Sequence, residues 1–314
     1  MIRQVVGRLS HSAFERDSAL GLSPIVINDQ RSTVMIVTCA HVGILYAPRL
    51  EVLYVQSSVI REIIAPRLRN LIIRDIPRRA GAPVGGRRYS WRSIIPLDLT
   101  SVRWMSIQSK VYHEPIDLSG MVNLESLRVM TAKVCGLSLL RNLRRLILIG
   151  VNKEVVSVPS LEFLYLLNSR IALLRLHGLQ FLNMRDSHIN VISKTNRENG
   201  LAYFGPAEQL PQWLRGHVRV SLLSCIGDFP NAVGVIIDTP YRPIPPRVEY
   251  VFTLDKIGGG NFKIIAGDQI CEDLSEFPQL RTVIFRTRCS AGQGYEFIKT
   301  DNPLHEFVRR VLEL

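Results

Sequence analysis

The chain is short of acid. Among its 314 residues 27 are Asp or Glu and 39 are Lys or Arg, a formal net charge of +12. Cysteine is sparse and unpatterned: Cys39, Cys135, Cys225, Cys271 and Cys289 are odd in number, scattered, and include no CxxC pair. That spacing excludes a disulfide scaffold and a zinc site built on cysteine pairs. Unpaired thiols predict an intracellular location, in cytoplasm, nucleus or virion. Long apolar runs are also missing. The longest uncharged one, Val34 to Ala47, is interrupted by Thr38 and His41 and falls short of the roughly 18 residues of a spanning helix. Met1 to Asp17 mixes charge and polarity without the apolar core of a signal peptide, so the expectation is a chain that is neither secreted nor membrane-spanning.

Catalytic signatures are absent too. No HExxH, GxSxG or Walker loop occurs. Gly258-Gly259-Gly260 precedes Asn261-Phe262-Lys263, so it reads as a turn and not as a phosphate loop. His41 stands between the core-phase residues Ala40 and Val42, and no serine-nucleophile segment accompanies it. His177 and His188 lack metal-ligand spacing. The expectation is no enzyme, no cofactor and no metal.

What is present is a repeat. Apolar residues make 46% of the chain and charged residues 21%, a folded composition. Leu143-Leu146-Leu148 restarts at Leu161-Leu164-Leu166 and again at Leu179-Leu182-Met184, each step being 18 residues. Leu50-Leu53-Val55 restarts at Leu68-Leu71-Ile73 by the same step. Further rungs begin at Ser32, Val102 and Leu124, so eight clear rungs lie between 32 and 179. Weaker copies follow at Ala232-Val235-Ile237, Val248-Val251 and Leu280-Val283-Phe285. In L-x-x-L-x-L the fourth and sixth residues share one side of a short strand, and the first enters the core at the preceding corner. A later S-x-I-x-x-I returns the chain along the opposite wall. One such rung cannot bury its apolar side alone, so neighbours stack into a solenoid. A step this short predicts extended or 3₁₀-like returns, not helices.

The L-x-x-L-x-L phase over 32–76 and 124–192 resembles the leucine-rich repeat family, with short, irregular, uncapped repeats like those of large DNA viruses. The resemblance implies an α/β class that is mostly β: a leucine-rich-repeat solenoid with a parallel sheet on its concave face, few helices and a C-terminal capping helix. It also implies a family Asn eight places after the first Leu. Here that place holds Ala40, Ser58, Ile76, Lys110, Ala132, Val151, Ser169 and Ser187, so the expected asparagine ladder is missing. The expected organisation is an N-terminal cap segment at 1–31, regular repeats at 32–192, an irregular continuation at 193–301 and a capping helix at 302–314. In that helix Asn302 caps, Pro303 takes the first position, and Leu304, Phe307, Val308, Val311 and Leu312 share a face. Within 193–216 a short helix broken by Pro211 is expected.

Two surfaces carry the functional expectation. The outward strand positions are rich in aromatic and β-branched residues where a solvated face would be polar, which marks a contact surface. Tyr54, Trp104, Arg128, Arg145, Phe163, Tyr165 and Phe181 are the candidate protein-binding residues, of the types that dominate interface energies. A Gly/Pro loop at 77–96 carries Arg78, Arg79, Arg87, Arg88 and Arg92, the candidate anion site for nucleic acid or an acidic protein. The reading is a non-enzymatic protein-binding scaffold within a larger assembly. The alternative is a basic structural protein associated with nucleic acid in a virion or ribonucleoprotein.

Overall fold

The computed structural model describes residues 1–6, 24–74, 99–109, 115–193, 200–237, 250–253, 264–266, 269–271, 282–289 and 292–299. The basic loop and the 302–314 segment lie outside them. The chain folds as two compact units, the first of residues 1–178 with 186–196, the second of 179–185 with 197–314. Each is built mainly of parallel strands wound as a β-solenoid.

In the first unit the front sheet runs through Ile2–Val6, Val34–Thr38, Val52–Gln56, Asn70–Arg74, Trp104–Gln108, Ser126–Met130, Arg145–Ile149 and Phe163–Leu167. Each strand is parallel to the next and in unbroken register. Each of the eight clear rungs has its front strand beginning two places after its first residue, Phe181–Arg185 being the eighth. The register stacks like on like: Leu53, Leu71, Met105, Leu127, Leu146 and Leu164 form one column, and all six are fully buried. Residues one place further along each strand face out, since side chains alternate in a strand.

The return wall is also extended. Ile25–Asn28, His41–Tyr46 and Val59–Ile64 form one parallel back sheet, and Asn152–Ser157, Arg170–Arg175 and His188–Ser193 form another. Among the described residues the expected 3₁₀ geometry occurs on this unit's return at Leu137–Leu139. The I-x-x-I spacing shows in the burial: Ile60 and Ile63 point in while Arg61 and Glu62 are both exposed. Two outward residues between two inward ones break the simple alternation of a strand. The described parts of 1–31 supply one more front strand and one more back strand, Ile2–Val6 and Ile25–Asn28.

Two corners join the walls. The residue after the front strand is left-handed at Cys39, Ser57, Thr131, Gly150 and Asn168, with φ between 49° and 62°. Left-handed backbone at a non-glycine costs about 1 kcal/mol or more, so the stacked rungs must hold it. One place later stand the serines. Ser58 Oγ accepts the Ala40 amide at 3.0 Å and Ser169 Oγ accepts the Val151 amide at 3.1 Å. Ser187 Oγ in turn accepts the Ser169 amide at 3.1 Å. These hydroxyls, at the place where an asparagine was expected, link rungs 18 residues apart. A second ladder lies at the opposite corner, one place before the first residue of a rung. Asn123, Asn142 and Ser160 donate to the carbonyls of Thr100, Val122 and Leu143 at 2.8, 3.1 and 2.9 Å.

Within the second unit parallel strands run through Phe181–Arg185, Leu201–Phe204, Val218–Leu222, Gly234–Ile237, Tyr250–Thr253 and Thr282–Cys289, ending in an antiparallel pairing with Gly292–Lys299. The weak copies at 232, 248 and 280 each carry a strand. Between 204 and 218 the chain makes a 3₁₀ turn, Ala207–Gln209, and one helical turn, Gln212–Arg215, separated by Pro211 as expected. Asn231 donates to the Gly216 carbonyl at 2.8 Å, repeating the asparagine corner of the first unit. Tyr203 is fully buried, with its ring edge-on to Phe229 at 5.8 Å. Its hydroxyl donates to the Pro206 carbonyl at 2.9 Å. Among the described residues no helix is long and apolar enough to cross a membrane.

Candidate protein-binding face

The in-register front sheet of the first unit sorts its outward side chains into three rows. One row reads Val34, Val52, Asn70, Trp104, Ser126, Arg145, Phe163. The second reads Ile36, Tyr54, Ile72, Ser106, Arg128, Ile147, Tyr165. Neighbours in a row are about 4.8 Å apart. Arg145 therefore stands beside Phe163, Arg128 beside Ile147, and Ile147 beside Tyr165. The L-x-x-L-x-L phase assigns these two rows directly. The third row, from Thr38 and Gln56 through Arg74 to Gln108 and Met130, continues the alternation one step past the motif.

Exposure divides the candidates. Arg128 is exposed, and Tyr54, Trp104, Arg145 and Tyr165 are half-buried, as side chains packed in rows on an open sheet are. Phe163 is buried to 8% exposure, so its ring is part of the packing that supports the face. Phe181 belongs to the second unit. It is 7% exposed and lies 4.9 Å from the Phe204 ring, tilted by 35°. Arg78, Arg79, Arg87, Arg88 and Arg92 lie outside the described residues.

Charges on this unit are arranged unevenly. At the corner preceding the front strands, Arg103 pairs with Glu125 at 2.6 Å and Arg144 approaches Glu162 at 3.8 Å. On the face itself Arg74 sits 5.6 Å above the Tyr54 ring, a cation–π arrangement. Among the described residues no carboxylate is within ion-pair distance of Arg128 or Arg145.

Among the described residues the most strongly perturbed acid lies at the N-terminal rung. Burial alone would raise the Asp29 carboxyl, but amide hydrogen bonds from Arg31 and Ser32, both 3.0 Å, outweigh it, together with the Ser32 hydroxyl and Arg3. The result is an acid held far below the ordinary carboxylate range, in a closed turn with the Arg3 guanidinium at 3.1 Å. In the second unit burial, then the nearby Cys225 and Glu208, pushes the Tyr203 hydroxyl up. Burial and Asp117 raise the Cys135 thiol against the opposing Lys153, which suppresses thiolate reactivity.

For chemistry the first unit offers Ser157 Oγ at 3.3 Å from His177 Nε2. Among the described residues no carboxylate hydrogen-bonds His177 to orient it, so a nucleophile–base–acid set is not assembled. Among the described residues no group of three or more His, Cys, Asp or Glu side chains is placed to hold a metal ion. No protein-family model matches the chain, and no curated protein matches it.

Proposed function

We propose that this chain is a leucine-rich-repeat-like scaffold that binds protein through the front sheet of its first unit, as a non-enzymatic component of a larger assembly. The observation that carries the reading is the row arrangement. Tyr54, Trp104, Arg128, Arg145 and Tyr165 face outward from one sheet whose register is unbroken from Ile2 to Leu167. Half-exposed aromatics and arginines fixed on a rigid sheet lose little rotamer entropy on binding, which favours them as interface anchors. The test is quantitative co-purification from the native source with Trp104→Ser/Tyr165→Ser. The reading expects loss of specific partners while the folded signal in circular dichroism is kept. Retention of every partner contradicts it.

A second reading rests on the net charge of +12, which suits a nucleic-acid-associated structural protein of a virion or ribonucleoprotein. Its anion site would be Arg78, Arg79, Arg87, Arg88 and Arg92. Changing these five to Ser should lower RNA or DNA affinity and flatten its salt dependence. Unchanged affinity and slope would remove this reading.

A further inference from the structure

We infer that the segment received by the front sheet of the first unit is acidic: a polypeptide stretch in which carboxylates alternate with apolar side chains. This rests on the reading of that sheet as a protein-binding face. Among the described residues, every outward position of the front strands from Ile2 to Leu167 is free of Asp and Glu. Three of those positions are arginine: Arg74, Arg128 and Arg145.

The corner beside the face shows the contrast. There Arg103 and Arg144 are matched within the chain by Glu125 and Glu162. Among the described residues two of the three cations in that corner column, Arg103 and Arg144, thus have a carboxylate partner and Arg69 has none, whereas none of the three face cations has one. Arg74 is drawn over the Tyr54 ring. Arg128 and Arg145 lie on adjacent strands and one row apart, with Ile147 beside Arg128 and Phe163 beside Arg145. Ser106 and Ser126 lie on their other sides. A guanidinium is more weakly hydrated than an ammonium, so a carboxylate arriving with apolar neighbours gains a bidentate, charge-assisted pair in a drying surface. A basic segment would meet like charge with no acid to offset it. Nucleic acid fits the face less well. Three cations among Val, Ile, Trp and Tyr make no continuous stripe for a phosphate backbone.

The experiment uses the full chain and fluorescence anisotropy with three short labelled peptides, alternating Val with Glu, Gln or Lys around a central Phe. The inference expects the Glu peptide to bind about tenfold tighter than the Gln peptide and the Lys peptide to bind weakest, in line with a charge-assisted pair. Arg128→Gln/Arg145→Gln, both at outward positions, should erase the Glu-over-Gln preference. Equal affinity for Glu and Gln peptides, or a preference that survives in the Arg variant, overturns it. Trp104→Ser/Tyr165→Ser separates the two levels. If it weakens Glu and Gln peptides alike while they bind equally, the face binds protein but not by charge. If no peptide responds to it, the protein-binding reading falls as well. Displacement of the Glu peptide by oligo-dT, with the same dependence on Arg128 and Arg145, makes nucleic acid the occupant and overturns the inference.

Discussion

The amide of Ser169 donates to the hydroxyl of Ser187, one rung further on, at 3.1 Å. Ser169 repeats the arrangement backward by accepting the Val151 amide at 3.1 Å, and its own hydroxyl reaches the Leu148 and Leu167 carbonyls at 3.1 and 2.9 Å. Both serines are buried. A buried amide that loses its acceptor costs about 1–3 kcal/mol. Ser169→Ala should therefore destabilise the first unit by that amount in urea unfolding, and Ser187→Ala by a similar amount. An effect within about 0.5 kcal/mol, typical of a surface change, would show that the hydroxyls are incidental.

The repeat phase is tested by a pair of adjacent residues. Leu164 is fully buried and Tyr165 is half-buried on the outward side. Leu164→Asp should expose the neighbouring rungs to limited proteolysis, because an unpaired charge cannot be held there. Tyr165→Asp should leave the digestion pattern unchanged. The opposite order of sensitivity would invert the phase of the sheet.

Acid should act through Asp29. Its folded-state pKa is depressed, while an unfolded Asp titrates at about 3.9. Its contribution is therefore complete above the unfolded value, and is lost as pH falls below about 4 toward the depressed folded value. The gap in Tm between the parent and Asp29→Asn should be widest at neutral pH and shrink in acid. A constant gap from pH 7 to pH 3 would show that the carboxylate charge is not what closes that turn.

The second unit has its own sensitive point. A Cβ added at Gly205 would lie 2.6 Å from the Tyr203 hydroxyl and 2.9 Å from its Cζ. Gly205→Ala should cost about 1–3 kcal/mol by overpacking. Tyr203→Phe should cost about 1 kcal/mol, through the lost bond to Pro206. Because the hydroxyl is part of the clash, the double variant should lose less than the two separately. Additive losses would mean the ring moves away when the methyl arrives.

The front wall was legible because a rung must place apolar residues at the fourth and sixth positions, and eight rungs do. The strand Leu201–Phe204 was not. All four of its residues are buried, so it shows no alternation to detect. Ile2–Val6 was hidden for a different reason: among the described residues it pairs on one side, with Val34–Thr38, and it carries exposed Ile2 and Val6. The serines at 58, 169 and 187 looked like departures from an asparagine ladder. Their function depends on the amide of the preceding rung, which sequence spacing alone does not reveal. Phe163 has the outward phase expected of it, yet is buried, because phase fixes direction and not exposure. Of the candidate face, the two rows containing Tyr54, Trp104, Arg128, Arg145 and Tyr165 were readable from the motif. Arg74, in the third row, lay beyond it.

The measurement that bears most directly on the account is site-directed photo-crosslinking in an extract of the native source. A benzophenone amino acid replaces Ser126, which lies between Trp104 and Arg145 on the front sheet, or Arg61, exposed on the back wall. The account predicts protein adducts specific to the front position, with crosslinked peptides rich in Asp and Glu, and their loss in Arg128→Gln/Arg145→Gln. Adducts common to both positions, or front adducts confined to nucleic acid, would contradict it.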